Sequence, residues 1–167
     1  MMVILEVVSV NEIQRLVQRY EQTLHSDSWY GDPVWKILEG IDARCAAAQL
    51  IPGTHTIWQL VMHMEFWERI AARRFSGPVT PEEAGNFPAT PAPDEAEWQI
   101  TLESFRASNR EFRQAISQLD AGTLDSNTPG GQRTFRYELV GVVEHHIYHA
   151  GQIALLKKGY SVTNGGQ

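Results

Sequence analysis

A single cysteine and six histidines set what this 167-residue chain can do with a metal ion. Cys45 stands alone, so a thiolate cluster is excluded and a cation site must draw on His, Asp or Glu. The densest run of such groups is Glu144-His145-His146-Ile147-Tyr148-His149-Ala150-Gly151-Gln152. On a helix, His145 and His149 stand one turn and about 40° apart, so both imidazoles reach one ion, and Gln152 continues their stripe. His146 and His149, separated by three residues, also share a face, so spacing alone leaves two candidate pairs. Leu139, Val142, Val143, Ala150 and Ile153 centre the apolar face close to His146, whose bland reading is a buried, hydrogen-bonded ring. A third histidine, His63, lies beside Trp67 at the edge of an arc drawn by Ile57, Leu60, Val61, Met64, Trp67 and Ala71. From that edge it can meet the pair across a helix seam, giving three protein ligands and an open position. His55 sits about 12 Å along the axis from His63 and suits the helix entrance better than a shared ion. His25 falls in a polar run and reads as solvated.

Four stretches of helical periodicity must position these residues, and no sustained alternation of apolar and polar residues marks a strand. The first helix is expected from a cap near Ser9 to Asn11 through Leu24. Short helical turns follow Pro33 and Asp42. Pro52-Gly53-Thr54 offers Thr54 as cap of the second long helix, which runs to about Arg74. Pro78, Pro81, Pro88, Pro91 and Pro93 mark residues 77–93 as a surface loop. Asp94 opens a third helix through Leu119. The fourth spans roughly Tyr137 to Lys158, stopped by a left-handed Gly159, and residues 163–167 form a frayed tail. The reading is all-α: an up-down four-helix bundle with short extra helices in the connections, residues 1–167 forming one domain.

Fourteen basic against twenty acidic residues leave a net charge of −6, which argues against a phosphate-neutralising surface and hence against nucleic acid as ligand. No run approaches the roughly 20 apolar residues that span a bilayer. The opening Met1-Met2-Val3-Ile4-Leu5 lacks the basic flank and cleavage site of a signal peptide. The expectation is a soluble, cytoplasmic protein.

The segment Pro52-Gly53-Thr54-His55-Thr56-Ile57-Trp58-Gln59-Leu60-Val61-Met62-His63-Met64, followed by Trp67, together with His145-x-x-x-His149-x-x-Gln152, resembles the DinB-like (DinB/YfiT) superfamily. The resemblance covers nearly the whole chain. It implies a four-helix bundle with a nickel- or zinc-type site of three histidines, one on the second helix and two on the fourth. By position these are His63, His145 and His149, which chooses His145 over His146. The family's frequent Trp-His-Gly element is represented here only by Tyr30-Gly31-Asp32-Pro33-Val34-Trp35.

Relatives so resembled include thiol-dependent transferases and isomerases and metal-dependent hydrolases. The function expected is therefore a metal-dependent enzyme, thiol S-transferase or hydrolase, acting on a small molecule, with a low-molecular-weight thiol as the partner substrate. Gln152 and His146 are the residues expected to support the ligands. Glu144 and Glu65 are conceivable general bases that read more simply as solvated helix residues, and no catalytic residue is assigned. The competing class is a non-enzymatic bundle that binds metal structurally or forms a homodimer through Trp29, Trp35 and Trp98, although buried aromatics commonly fill bundle cores.

Overall fold

The helix that carries His63 is started by Thr56, not by Thr54. The Thr56 hydroxyl accepts from the Gln59 N–H while Gln59 Oε1 accepts from the Thr56 N–H, a reciprocal capping box. Thr54 instead turns its hydroxyl back to the Ile51 carbonyl. Asp42 and Asp94 cap their helices as expected, each accepting from the backbone N–H three residues on.

The computed structural model describes the backbone of residues 2–26 and 28–164, and the side chains of these except 2–11, 83, 84 and 164. The elements are α1 (Met2–His25), α2 (Val34–Leu38), α3 (Ala43–Ala47), α4 (Ile57–Arg74), α5 (Glu83–Asn86), α6 (Glu95–Ser117), a 3-10 turn at Ala121–Thr123, and α7 (Phe135–Asn164). Only isolated bridges, and no strand, occur among the described residues. Besides the start of α4, α6 stops at Ser117 rather than Leu119 and α7 opens at Phe135 rather than Tyr137, and two further ends differ from expectation by more. Helix α1 begins at Met2, so Ser9 and Asn11, whose side chains lie outside the described ones, fall within it. Helix α7 passes through Gly159, which is not left-handed. Tyr160, just beyond, packs against the core and outweighs the roughly 1 kcal/mol that a helical glycine costs. Of the expected frayed tail, residues 163 and 164 are helical and 165–167 lie outside the described residues.

The four long helices form the expected bundle, with a refinement to simple up-and-down order. Helices α1 and α4 each pack on both α6 and α7. The pairs Trp58–Trp98, Glu65–Ser104, Glu68–Ser108 and Phe75–Phe112 climb together, so α4 and α6 run parallel. His63–His145, Arg74–Glu138 and Phe75–Phe135 run the other way, so α7 is antiparallel to α4. The connection between α4 and α6 has to carry the chain back along all of α4, about 27 Å for its 18 residues.

Trp98 is fully buried and donates to the Ile41 carbonyl, and Trp35 donates to Asn109 Oδ1 beneath the Arg106 guanidinium. Both are committed inside the fold, which leaves Trp29 as the exposed member of the three tryptophans considered for docking. Against this aromatic core lies a buried acid. Glu68 is wholly enclosed and accepts from Tyr20, Ser108 and Asn109, so α4 is tied to α1 and α6 at one level. Burial pushes its carboxyl up from 4.5 to about 7, against the opposing pull of those hydrogen bonds and of Arg69.

An acid with a raised folded-state pKa stays protonated in the fold while the unfolded chain ionises. Its contribution to stability is therefore complete below about pH 4.5 and is lost as pH rises through about 7. Relative to Glu68→Gln, the wild type should lose stability on the order of 2–3 kcal/mol between pH 4.5 and 8. Parallel urea melts measure the difference; a flat difference would mean that Glu68 ionises as freely in the fold as in water.

Candidate metal centre

Helix α7 is apolar enough to bury one full face, and its histidines divide by their angle to that face. Leu139, Val143 and Ile153 are buried against the other helices together with His146, while His145 and His149, one turn apart, face the seam with α4. From across the seam comes His63. The three Nε2 atoms converge: His145 lies 2.9 Å from His63 and 3.0 Å from His149. Ligand nitrogens about 2.1 Å from a common ion stand about 3.0–3.4 Å apart in octahedral or tetrahedral arrangement. Among the described residues, these three form the group of His, Cys, Asp and Glu side chains able to share an ion.

Their hydrogen bonds fix which nitrogen faces inward as a lone pair. His63 Nδ1 lies 3.0 Å from the Asn86 carbonyl, which only accepts, so Nδ1 carries the proton and Nε2 the lone pair. His149 Nδ1 donates in the same way to Gln152 Oε1 at 2.6 Å. His145, between them, has one Nε2 to offer two lone pairs and an Nδ1 with no partner. Converging lone pairs repel unless a cation lies among them. Burial, reinforced by the neighbouring histidines, pushes His145 down to about 3. Burial likewise takes His149 to about 4, against the Gln152 hydrogen bond, and lowers His63. The rings are neutral at neutral pH, the form that binds metal.

The proline-rich stretch read as a surface loop is strapped along α4. Trp67 donates to Asn86 Oδ1 at 2.7 Å, Gln59 donates to the Pro88 carbonyl, and the Thr56 and Thr90 hydroxyls meet at 2.8 Å. Phe87 stacks on His63 with ring centres 3.9 Å apart and on His55 at 3.6 Å, so its ring lies between two imidazoles. Gly85 permits the close approach, because a Cβ there would fall 2.6 Å from the Phe66 ring. Asn86 and Phe87 thus belong to the site although their sequence neighbourhood carries no metal-site spacing. Only the prolines, which stiffen the segment, hinted at a fixed path.

A cavity of about 450 Å³ opens beside the triad, walled by His63, His145, Trp67, Tyr137 and Val142. Its one carboxylate among the described residues, Glu138, is held by Arg74 at 3.0 and 3.1 Å. Of the other residues weighed from sequence, Glu144 is exposed and Glu65 is bound to Arg69 and Ser104. Gln152 is brought to the triad. His146 is buried as expected; its ring lies against the Met64 backbone, packs on Tyr20 and Phe105, and stands 3.7 Å from a Glu68 oxygen. Burial first takes its pKa down to about 3, with His149 adding to the fall and the Met64 backbone opposing it. His25 is exposed.

Compared with known protein families, residues 30–153 match the DinB superfamily, a span that takes in the three histidines, the strap and Gln152. No curated protein and no solved structure matches the chain.

The depressed histidines give a pH test with the opposite sign to Glu68. Folded, they stay neutral; unfolded, they take up protons below their ordinary 6.5, so their contribution is complete above about pH 6.5 and is lost as pH falls toward 4. Chelator-treated Glu68→Gln protein, in which the opposing titration of Glu68 is removed, should lose roughly 3 kcal/mol of stability between pH 7 and 5, allowing for partial solvent access. Thermal melts across that range measure it. Unchanged stability would mean the rings are solvated.

Proposed function

This chain belongs to the DinB superfamily, and on that premise we propose that it is a metal-dependent enzyme acting on a small molecule, with one divalent ion, nickel or zinc, held by His63, His145 and His149. The observation that carries the reading is the convergence of three neutral imidazoles, two with their lone pairs fixed inward, beside an open cavity. Such an ion supplies Lewis acidity at its remaining position, lowering the pKa of a thiol or water and polarising a carbonyl.

The chain's own residues do the rest. The Asn86 carbonyl and Gln152 Oε1 hold the outer nitrogens of His63 and His149, keeping the rings aimed. Phe87 covers one face of His63 and keeps water from it. Trp67 and Tyr137 offer an aromatic wall to the substrate. Glu138 has both oxygens on Arg74, so among the described residues the cavity presents no free carboxylate as general base. That favours a thiol S-transferase over a base-assisted hydrolase, because a thiol is far more acidic than water and would need only the Lewis acidity of an ion held by His63, His145 and His149, and it points to a low-molecular-weight thiol as one substrate.

The same proposal takes residues 1–167 as a single domain in a cytoplasmic setting. No helix among the described residues is long and apolar enough to cross a membrane. The competing reading, a structural metal site in a non-enzymatic bundle, calls for a fourth protein ligand, and the group found among the described residues has three.

Protein purified and dialysed against nickel or zinc should hold about one ion per chain by elemental analysis. His145→Ala with His149→Ala should abolish retention. Gln152→Ala should weaken affinity by about 10- to 100-fold, and His146→Ala should cost about 2 kcal/mol or more of stability while leaving metal content unchanged. Undiminished metal in the double variant would sink the assignment. Thiol-transfer assays run beside ester and amide hydrolysis then distinguish the reaction classes.

A further inference from the structure

Arg133 stands at the junction of the cavity beside the triad and a second cavity of about 310 Å³. Its guanidinium lies over the Tyr137 ring, 4.9 Å from the centroid, and among the described residues pairs with no carboxylate. Among the described residues it is the cavity's uncommitted cation, since Arg74 is neutralised by Glu138. The turn that presents it is closely built. Thr128, almost wholly buried, donates its N–H to the Arg133 carbonyl at 2.9 Å, and Asn127 and Thr134 form a bridge. A Cβ at Gly130, where φ is +69°, would meet Pro78 at 2.6 Å, and one at Gly131 would meet Thr128 at 2.4 Å. A rigid turn thus holds an unpaired cation over an aromatic ring, in a chain whose net charge is −6.

We infer that the substrate of this site carries a carboxylate, bound by Arg133, and an apolar or aromatic body lying on Trp67 and Tyr137, which brings its reacting group to the triad. The inference rests on the metal-dependent reading above. One unpaired guanidinium suits a monoanion; a phosphate dianion calls for a second cation, and among the described residues the cavity has none free. Length is set by the helix: Tyr137 and His145 are eight residues apart, about 12 Å along α7. Allowing for the reach of the arginine arm, the carboxylate and the reacting group stand on the order of 8–10 Å apart. The rigidity of the turn limits the ordering cost on binding.

The test uses cobalt(II)-loaded protein and two probes of matched shape and about that length, 4-(mercaptomethyl)benzoate and its carboxamide. Thiolate binding is read from the sulfur-to-cobalt charge-transfer absorbance. The wild type should bind the carboxylate about tenfold more tightly than the carboxamide, with the preference shrinking as salt rises. Arg133→Gln should erase the preference while leaving the carboxamide affinity and the melting temperature unchanged, and Arg133→Lys should keep part of it. Equal binding of the two probes by the wild type overturns the carboxylate inference and leaves the metal-site reading standing. Absence of the absorbance band with either probe overturns both.

Discussion

Polar groups can enter the core of a helical bundle only when something answers their desolvation, and the seam between α4 and α7 concentrates that constraint. Four of the buried polar side chains, His63, Glu68, His146 and His149, come from these two helices within about two turns. Glu68 is answered by Tyr20, Ser108 and Asn109. The outer nitrogens of His63 and His149 are answered by Asn86 and Gln152. Among the described residues the inward Nε2 atoms have only one another, and lone pairs facing lone pairs do not satisfy one another. The register of α7 on α4, the path of the strap and the tie between α1, α4 and α6 all follow from where these groups find partners.

That constraint also explains how neighbouring histidines on one helix come to different ends. About 100° separates successive residues, enough to turn His145 toward the seam and His146 into the packed interior between Tyr20 and Phe105. Spacing alone left the pair ambiguous, because both choices share a face with His149. Chain geometry becomes decisive only when α4 supplies His63 on one side and not the other.

What could be read in advance was local. Asp42 and Asp94 act as caps because capping needs only the next turn of backbone. At α4 Gly53 makes Thr54 look like the cap, but Gln59, three residues after Thr56, marks Thr56 as the head of a capping box. Glu68 was also legible: it falls four residues after Met64 and three before Ala71, on the buried arc, and an acid at such a position has to find partners inside. The strap was not legible. The acceptor for His63 is a backbone carbonyl, which any residue at position 86 possesses, and its placement depends on the return path from α4 to α6 rather than on nearby spacing.

The choice of partners around the triad carries a last consequence, for charge. The acceptors behind His63 and His149 are a peptide carbonyl and a side-chain amide, both neutral; carboxylates there would have made the rings more basic and placed negative charge behind them. Among the described residues the nearby acids are also muted, Glu138 by its pairing with Arg74 and Glu68 by a carboxyl pKa raised to about 7, which keeps it partly protonated at neutral pH. On the reading proposed above, three neutral ligands with neutral supports leave the full double charge of the ion undiminished in a half-dry setting. An acidic chain has thereby kept its negative charge away from the one place where an anion would have to enter, and Arg133 extends the same positive potential outward along the cavity.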